Sequence, residues 1–179
     1  RRIILVPGQV ETDASIRTGA LDIKTNAELL FEVRKANPDA FVIYKPHPDV
    51  LVGARVADDN QQQMAVHYDL TVTDIAMPAL LESVDEVHTL TSLTGFEALL
   101  RGINVYTYGM PFYAGWGLTT DCYQCARRSR KLTLDQLVAA TLILYPVYVD
   151  PDSGEQINVE TAVDLINLQR QKPARTTLN

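Results

Sequence analysis

Residues 86–102 read Glu86-Val87-His88-Thr89-Leu90-Thr91-Ser92-Leu93-Thr94-Gly95-Phe96-Glu97-Ala98-Leu99-Leu100-Arg101-Gly102. The segment opens as a short apolar strand over 86–90, crosses a hydroxyl-rich turn, and continues as a helix over 94–101. Gly102 ends it, glycine being favoured just beyond a helix because it accepts a left-handed backbone. Strand, turn and helix in that order make the repeating unit of a parallel sheet. The same alternation lies on both sides. Ile3-Ile4-Leu5-Val6 is an apolar run closed by Pro7-Gly8, as expected of a strand buried on both faces. Thr25-Asn26-Ala27-Glu28 fits a capping box that opens a helix with Leu29, Leu30 and Val33 inside, and Asn37-Pro38-Asp39 stops it. Phe41 to Tyr44 is a second apolar strand, ended by Lys45-Pro46-His47-Pro48. Residues 58–66 and 77–83 read as helices, 70–72 and 104–108 as strands. A helix over 134–144 follows Thr133, and another covers 159–168. The pattern predicts an α/β fold, a parallel sheet with helices on both faces. One domain is expected over 1–168, with a polar, flexible tail over 169–179.

The totals bound the function classes. The chain has 179 residues, 46% hydrophobic and 21% charged, and a net charge of −6. That suits one soluble domain with a real core. A net negative charge argues against nucleic-acid binding. Arg127, Arg128, Arg130 and Lys131 form one local basic patch, which suits either a solvated turn or an anionic lipid surface. No apolar run approaches the roughly 18–20 residues of a membrane span. The two cysteines lie three apart, which suits a reducing compartment. A zinc site would need further ligands at suitable spacing, so neither metal nor cofactor is expected. A core strand starting at the third residue, with no leader before it, reads as a domain cut from a longer enzyme.

In doubly wound sheets, ligands bind beyond the carboxyl ends of the strands. Four polar segments are expected there: 9–15, 45–49, 89–95 and 109–121. The first N–H groups of a helix lack intrahelical partners and attract anions. Ser92 and Thr94 could therefore hold a phosphate with Gly95 allowing its close approach, or could simply cap the helix. Prolines on both sides of His47 fix its backbone. The histidine can donate to a phosphate or move a proton, with Lys45 as a neighbouring cation, or the segment is only a turn. Asp13, with Glu11 as competitor, is either a solvated loop acid or a nucleophile. The stretch Gly109-Met110-Pro111-Phe112-Tyr113-Ala114-Gly115-Trp116-Gly117 suits stacking on a base or sugar, or a hydrophobic plug over the sheet.

Together these segments resemble the bacterial capsule-polysaccharide β-Kdo transferases. The stretches that carry the likeness are Pro7-Gly8-Gln9-Val10 with Asp13-Ala14-Ser15, Tyr44 to Val50, His88 to Gly102, and Tyr106 to Asp121, the last being the most specific. Cys125 to Arg128, Leu132 to Asp135 and Tyr145-Pro146 also match. Asn104 stands where the family suggests a proline, and Cys122 is atypical. The resemblance implies a Rossmann-like domain, one half of a GT-B-like glycosyltransferase. It also implies CMP-Kdo as donor, a Kdo-bearing glycolipid as acceptor, retention of configuration, and a cytoplasmic enzyme peripheral to the inner membrane. It assigns His47, Ser92 and Thr94 to the CMP phosphate, with Lys45 and Gly95 beside them. Glu97 would hold ribose or cytidine, and Gln9 and Pro48 would join the donor site. Asp13 would be the nucleophile and His47 its catalytic companion. No general acid is evident, and the missing N-terminal half of the module is the expected source. The alternatives are a sialyltransferase-like or UDP-sugar epimerase-like domain, or a non-catalytic capsule export or assembly module.

Overall fold

The computed structural model describes residues 1–49 and 64–171. They form two compact units, divided between Leu132 and Thr133. In the first unit the elements run β1 (Ile3–Pro7), α1 (Ala14–Gly19), α2 (Asn26–Ala36), β2 (Phe41–Lys45), β3 (Leu70–Thr71), α3 (Met77–Leu81), β4 (Glu86–Thr89), α4 (Leu93–Leu99), β5 (Asn104–Thr107) and β6 (Thr120–Asp121). The strands make one parallel sheet in the order β3-β2-β1-β4-β5-β6. This is the order of a Rossmann-type doubly wound sheet, which reverses direction between β1 and β4.

Alternation along the strands sorts the side chains into two layers. Ile4 and Val6 pair in register with Val42 and Tyr44, and pack with Ile16 of α1 and Leu29, Leu30 and Val33 of α2. The same register puts Glu86 and His88 on that face, beside Tyr106 and Tyr108. Leu5, Val87 and Val105 point the other way and are buried too. Helix α4 lies against β4 and β5. Apolar residues on both sheet faces thus account for the near-continuous apolar runs in the sequence.

Local signals set most element ends. The Thr25 capping box is present, with the Thr25 hydroxyl accepting from Glu28 N–H and the Glu28 carboxylate returning to Thr25 N–H. Pro78 enters at the first turn of α3, where its missing N–H costs nothing. Gly102 has φ +72°, the left-handed conformation expected after α4. Two elements of this unit are additional to the sequence-based expectation. Asp13 starts the short helix α1 where an open loop was anticipated, and β6 joins the sheet edge beside β5. In the helix expected over 58–66, residues 58–63 lie outside the described part, and Met64 and Ala65 are helical.

The second unit holds α5 (Leu134–Val138), a π-helical turn (Ala139–Leu144), an antiparallel pair β7 (Tyr148–Val149) and β8 (Gln156–Ile157), and α6 (Val159–Gln171). One continuous α-helix was expected over 134–144. Instead the Tyr145 N–H reaches back to the Ala140 carbonyl, a π-type step, and the Thr141 hydroxyl takes the Leu137 carbonyl at 2.8 Å. A threonine that bonds its own helix backbone competes with the regular ladder. Where one domain was expected to reach residue 168, the last sheet strand ends at Asp121 and a separate two-stranded sheet follows. Helix α6 runs to Gln171, and residues 172–179 of the tail expected over 169–179 lie outside the described part.

Candidate functional site

The β1–α1 and β4–α4 loops meet where the strand order reverses. Glycines make the approach possible. A Cβ at Gly8 would stand 2.8 Å from the Tyr44 hydroxyl and 3.1 Å from His47 N. A Cβ at Gly109 would stand 2.7 Å from the Leu90 carbonyl oxygen and 2.9 Å from that of Gly19. Gly8 N–H donates to the Lys45 carbonyl at 2.7 Å, and Met110 N–H to the Gly19 carbonyl at 2.7 Å. The loops after β1, β2, β4 and β5 are thereby drawn to one edge of the sheet.

On the first loop, Asn26 closes a small network. Its Nδ2 donates to the Gln9 carbonyl at 2.9 Å and to Glu11 Oε1 at 3.0 Å, and its backbone N–H donates to the same Glu11 oxygen at 2.8 Å. Glu11 is therefore engaged at the start of α2, while Asp13, also exposed, makes no bond to α2. Asp13 caps α1 by accepting from Ser15 N–H at 2.8 Å. That bond, then the Ser15 hydroxyl, and further the nearby charge of His47, hold its carboxyl below the ordinary aspartate value. Asp13 is thus an ionised carboxylate close to an imidazole.

His47 sits just past β2. Its Nδ1 accepts from Asp49 N–H at 3.2 Å. In the neutral ring this puts the proton on Nε2, which makes no hydrogen bond among the described residues. The Asp49 carboxylate lies 3.7 Å from Nδ1, and Pro48 beside it is exposed. Lys45 points elsewhere, its Nζ donating to the Thr73 carbonyl at 3.1 Å.

Ser92 caps α4. Its hydroxyl oxygen accepts from Thr94 N–H at 3.2 Å and donates to Thr94 Oγ1 at 3.1 Å. The Gly95 N–H turns back to the Ser92 carbonyl at 3.1 Å. Helix capping thus occupies the Thr94 and Gly95 amides nominated for an anion, and the Ser92 hydroxyl donates to Thr94, whose own hydroxyl proton is the one not committed among the described residues. The space over Gly95 is filled as well. A Cβ there would lie 2.2 Å from the Tyr113 hydroxyl oxygen and 2.6 Å from its Cζ. Gly95 admits a tyrosine ring rather than a phosphate. Tyr113 is fully buried and its hydroxyl donates to the Ser92 carbonyl. Burial keeps that phenol protonated. Glu97 lies one turn further along α4, half-buried.

The aromatic loop is built around Asp121 and Arg128. Asp121 accepts from the hydroxyls of Thr107 at 2.7 Å and Thr119 at 2.5 Å and from Gly115 N–H at 2.9 Å. Arg128 donates to the carbonyls of Pro111 at 2.6 Å and Ala114 at 2.7 Å, with its guanidinium 5.6 Å from the Trp116 ring centre. Gly115, at φ +80°, needs the conformation glycine adopts freely. Tyr113 and Phe96 stack in the loop's interior while Phe112 is partly exposed. Tyr113 is the hydrophobic plug of the two alternatives open from sequence, and Arg128 is withdrawn from the basic patch to hold the loop. Both cysteines are free, and no cluster of three metal-ligating side chains occurs among the described residues.

A family model described as capsule polysaccharide biosynthesis protein matches residues 1–148. The chain belongs to that family. It is 52% identical over 170 residues to the capsule polysaccharide modification protein LipA of Neisseria meningitidis serogroup B, covering 95% of this chain and 24% of LipA. It is 46% identical to the lipopolysaccharide-processing protein LpsZ of Rhizobium meliloti, covering 95% of this chain and 39% of that one. The chain therefore spans a quarter to two-fifths of the length of these relatives. Among solved structures, the β-Kdo 2,7 transferase of Thermosulfurimonas dismutans KpsC superposes with a TM-score of 0.85 at 48% identity, over 94% of this chain and 54% of that one. The β-Kdo 2,4 transferase of the same protein superposes with a TM-score of 0.77 at 35% identity, over 93% and 52%. The likeness to capsule Kdo transferases read from the sequence stands.

In this capsule-family chain, Gln9, Asp13, His47 and Ser92 lie on loops at the carboxyl end of the sheet, and Thr94 lies in the first turn of α4 beside them. Lys45 is turned toward the loop after β3, and Gly95 faces inward. Thr89, Thr91 and Asn26 escaped the sequence-based search, although they organise the loops. Their hydroxyl and amide groups carry no spacing signal, because their bonds to Gln9 span 17 to 82 residues.

Proposed function

We propose that this chain is the donor-binding part of a glycosyltransferase that takes Kdo from CMP-Kdo during capsular polysaccharide synthesis. The observation that carries this is the convergence of two adjacent loops: Asp13, held as a carboxylate, follows β1, and His47, whose Nε2 has no hydrogen-bond partner among the described residues, follows the paired strand β2, with Gly8 of the first loop packed against His47 N. In this reading His47 Nε2 and the Ser92 and Thr94 hydroxyls receive the CMP phosphate, and Glu97 and Pro48 lie toward the nucleoside. Asp13 attacks the anomeric carbon as the bond to the phosphate oxygen breaks and CMP departs. The acceptor hydroxyl then displaces Asp13. Each displacement inverts the carbon, so two retain its configuration. A facing second half of a GT-B-like module would present the acceptor, a Kdo-bearing glycolipid at the cytoplasmic side of the inner membrane. Among the described residues no helix is long and apolar enough to cross a membrane.

Calorimetric titration with CMP and with UMP tests the proposal. CMP should bind and UMP should bind more weakly; equal affinities, or none, would sink the donor assignment. His47→Ala should weaken CMP by about 1–3 kcal/mol, the range for a hydrogen bond to a charged group. An unchanged affinity would remove His47 from the site.

A further inference from the structure

Gln9 is among the residues expected to touch the donor, yet its side chain is engaged inside the protein. Its Oε1 accepts from Thr91 N–H at 3.0 Å and from the Thr89 hydroxyl at 3.3 Å, and its Nε2 donates to Thr91 Oγ1 at 3.0 Å. Thr89 Oγ1 in turn accepts from Ser92 N–H at 3.2 Å. One side chain from the β1–α1 loop thus satisfies two successive backbone N–H groups of the β4–α4 turn, one directly and one through Thr89. Gln9 is 8% exposed and Thr89 0%. The Gln9 backbone is held from the other side, its N–H donating to Asn26 Oδ1 at 2.9 Å and its carbonyl accepting from Asn26 Nδ2 at 2.9 Å.

The position of this bolt matters. Pairing between β1 and β4 ends at Leu5 and Val87. Beyond that point the two chains diverge into separate crossovers, and no ladder sets their spacing. The Asp13 loop follows β1 and the Ser92–Thr94 turn follows β4, so both leave neighbouring strands beyond this point.

We propose that Gln9 is a positioning residue, which fixes the Ser92–Thr94 turn relative to the loop bearing Asp13 and acts through Thr89 and Thr91 rather than on the ligand. This rests on the donor-site reading above and deepens it. The role needs an amide of this length. Its carbonyl takes two donors while its NH2 group feeds a hydroxyl. Methionine has the length without the bonds. An ionised glutamate keeps the acceptor and loses the donor, and regains a donor when protonated.

The test uses the full chain with Gln9→Met, Gln9→Glu, Thr89→Val, and the double variant of the first and third. Without ligand, amide exchange at Thr91 and Ser92 should quicken by about tenfold or more in Gln9→Met, as expected when about one hydrogen bond's worth of protection is lost, while β1 and β4 amides keep their rates. Unchanged exchange at Thr91 and Ser92 overturns the proposal. With CMP, Gln9→Met and Thr89→Val should each weaken binding by roughly five- to tenfold, and the double variant no further than the worse single one. Losses that multiply would mean that Gln9 acts on the ligand itself and would overturn the relay. For Gln9→Glu, affinity relative to wild type should recover as pH falls and the new carboxyl protonates. A ratio that stays flat with pH rejects the donor role of the amide. If wild type fails to bind CMP while Gln9→Met still frees the two amides, the donor-site reading falls and the loop coupling stands.

Discussion

His88 is 2% exposed, in the layer between the sheet and α2. Its Nε2 lies 3.1 Å from Glu86 Oε2 and its Nδ1 3.1 Å from the Tyr108 hydroxyl. The ring stacks on Tyr106 at 4.3 Å between centroids. Glu86 favours the charged imidazolium, but burial outweighs it and pushes the His88 pKa down to about 4. The ring is therefore neutral in the folded protein at any pH above that value. In the unfolded chain it takes up a proton below about 6.5. Stability from this group is then complete above about pH 6.5 and is lost as pH falls toward about 4, by about 3 kcal/mol in all. Thermal melts across that window should show the decline, and His88→Gln should flatten it. An identical pH slope in the variant would mean that another group is responsible. In the sequence His88 is one residue of the strand expected over 86–90. That it is buried, and beside which acid, follows from pairing between β1, β4 and β5.

Helix α4 and the loop over 109–121 depend on one close packing. Tyr113 can lie over the start of α4 only because Gly95 has no side chain. Gly95→Ala should therefore force the ring aside and cost about 1–3 kcal/mol, the range for overpacking, read as a lowered midpoint in urea. Tyr113→Ala empties the same space, so the two losses should be strongly non-additive; simple addition would show that the residues do not compete for the space. The motif around Gly95 is legible in sequence as a strand, turn and helix, and the Ser92 cap was among its options. The occupant of the space above the glycine was not legible, because Tyr113 stands 18 positions along the chain and nothing local pairs the two. The same holds for Arg128, one of four cations in a basic run by sequence, which the folded loop uses to tie down the carbonyls of Pro111 and Ala114.

All residues nominated for the donor lie between Gln9 and Glu97, within the unit that ends at Leu132. Hydrogen exchange with and without CMP should show protection at residues 8–15, 45–49 and 89–97 and none over 133–171. Protection confined to the second unit would relocate the site. At a hundredfold excess over its dissociation constant, CMP should stabilise the chain by about 2.7 kcal/mol, seen as a raised melting temperature that is smaller in His47→Ala at the same CMP concentration. The alternation of apolar runs with capped helices was enough to determine a parallel α/β sheet, because both periodicities and caps are set within a few residues. Spacing within motifs likewise singled out Asp13, His47 and Ser92 as candidates. Only the tertiary structure decided that Glu11 is committed to Asn26, that Gly95 serves Tyr113, and that Gln9 bridges two loops instead of standing open to a ligand. Those outcomes turn on which distant groups meet at the point where the strand order reverses. Hydrogen bonds between such groups satisfy buried polar atoms whose partners no local pattern identifies.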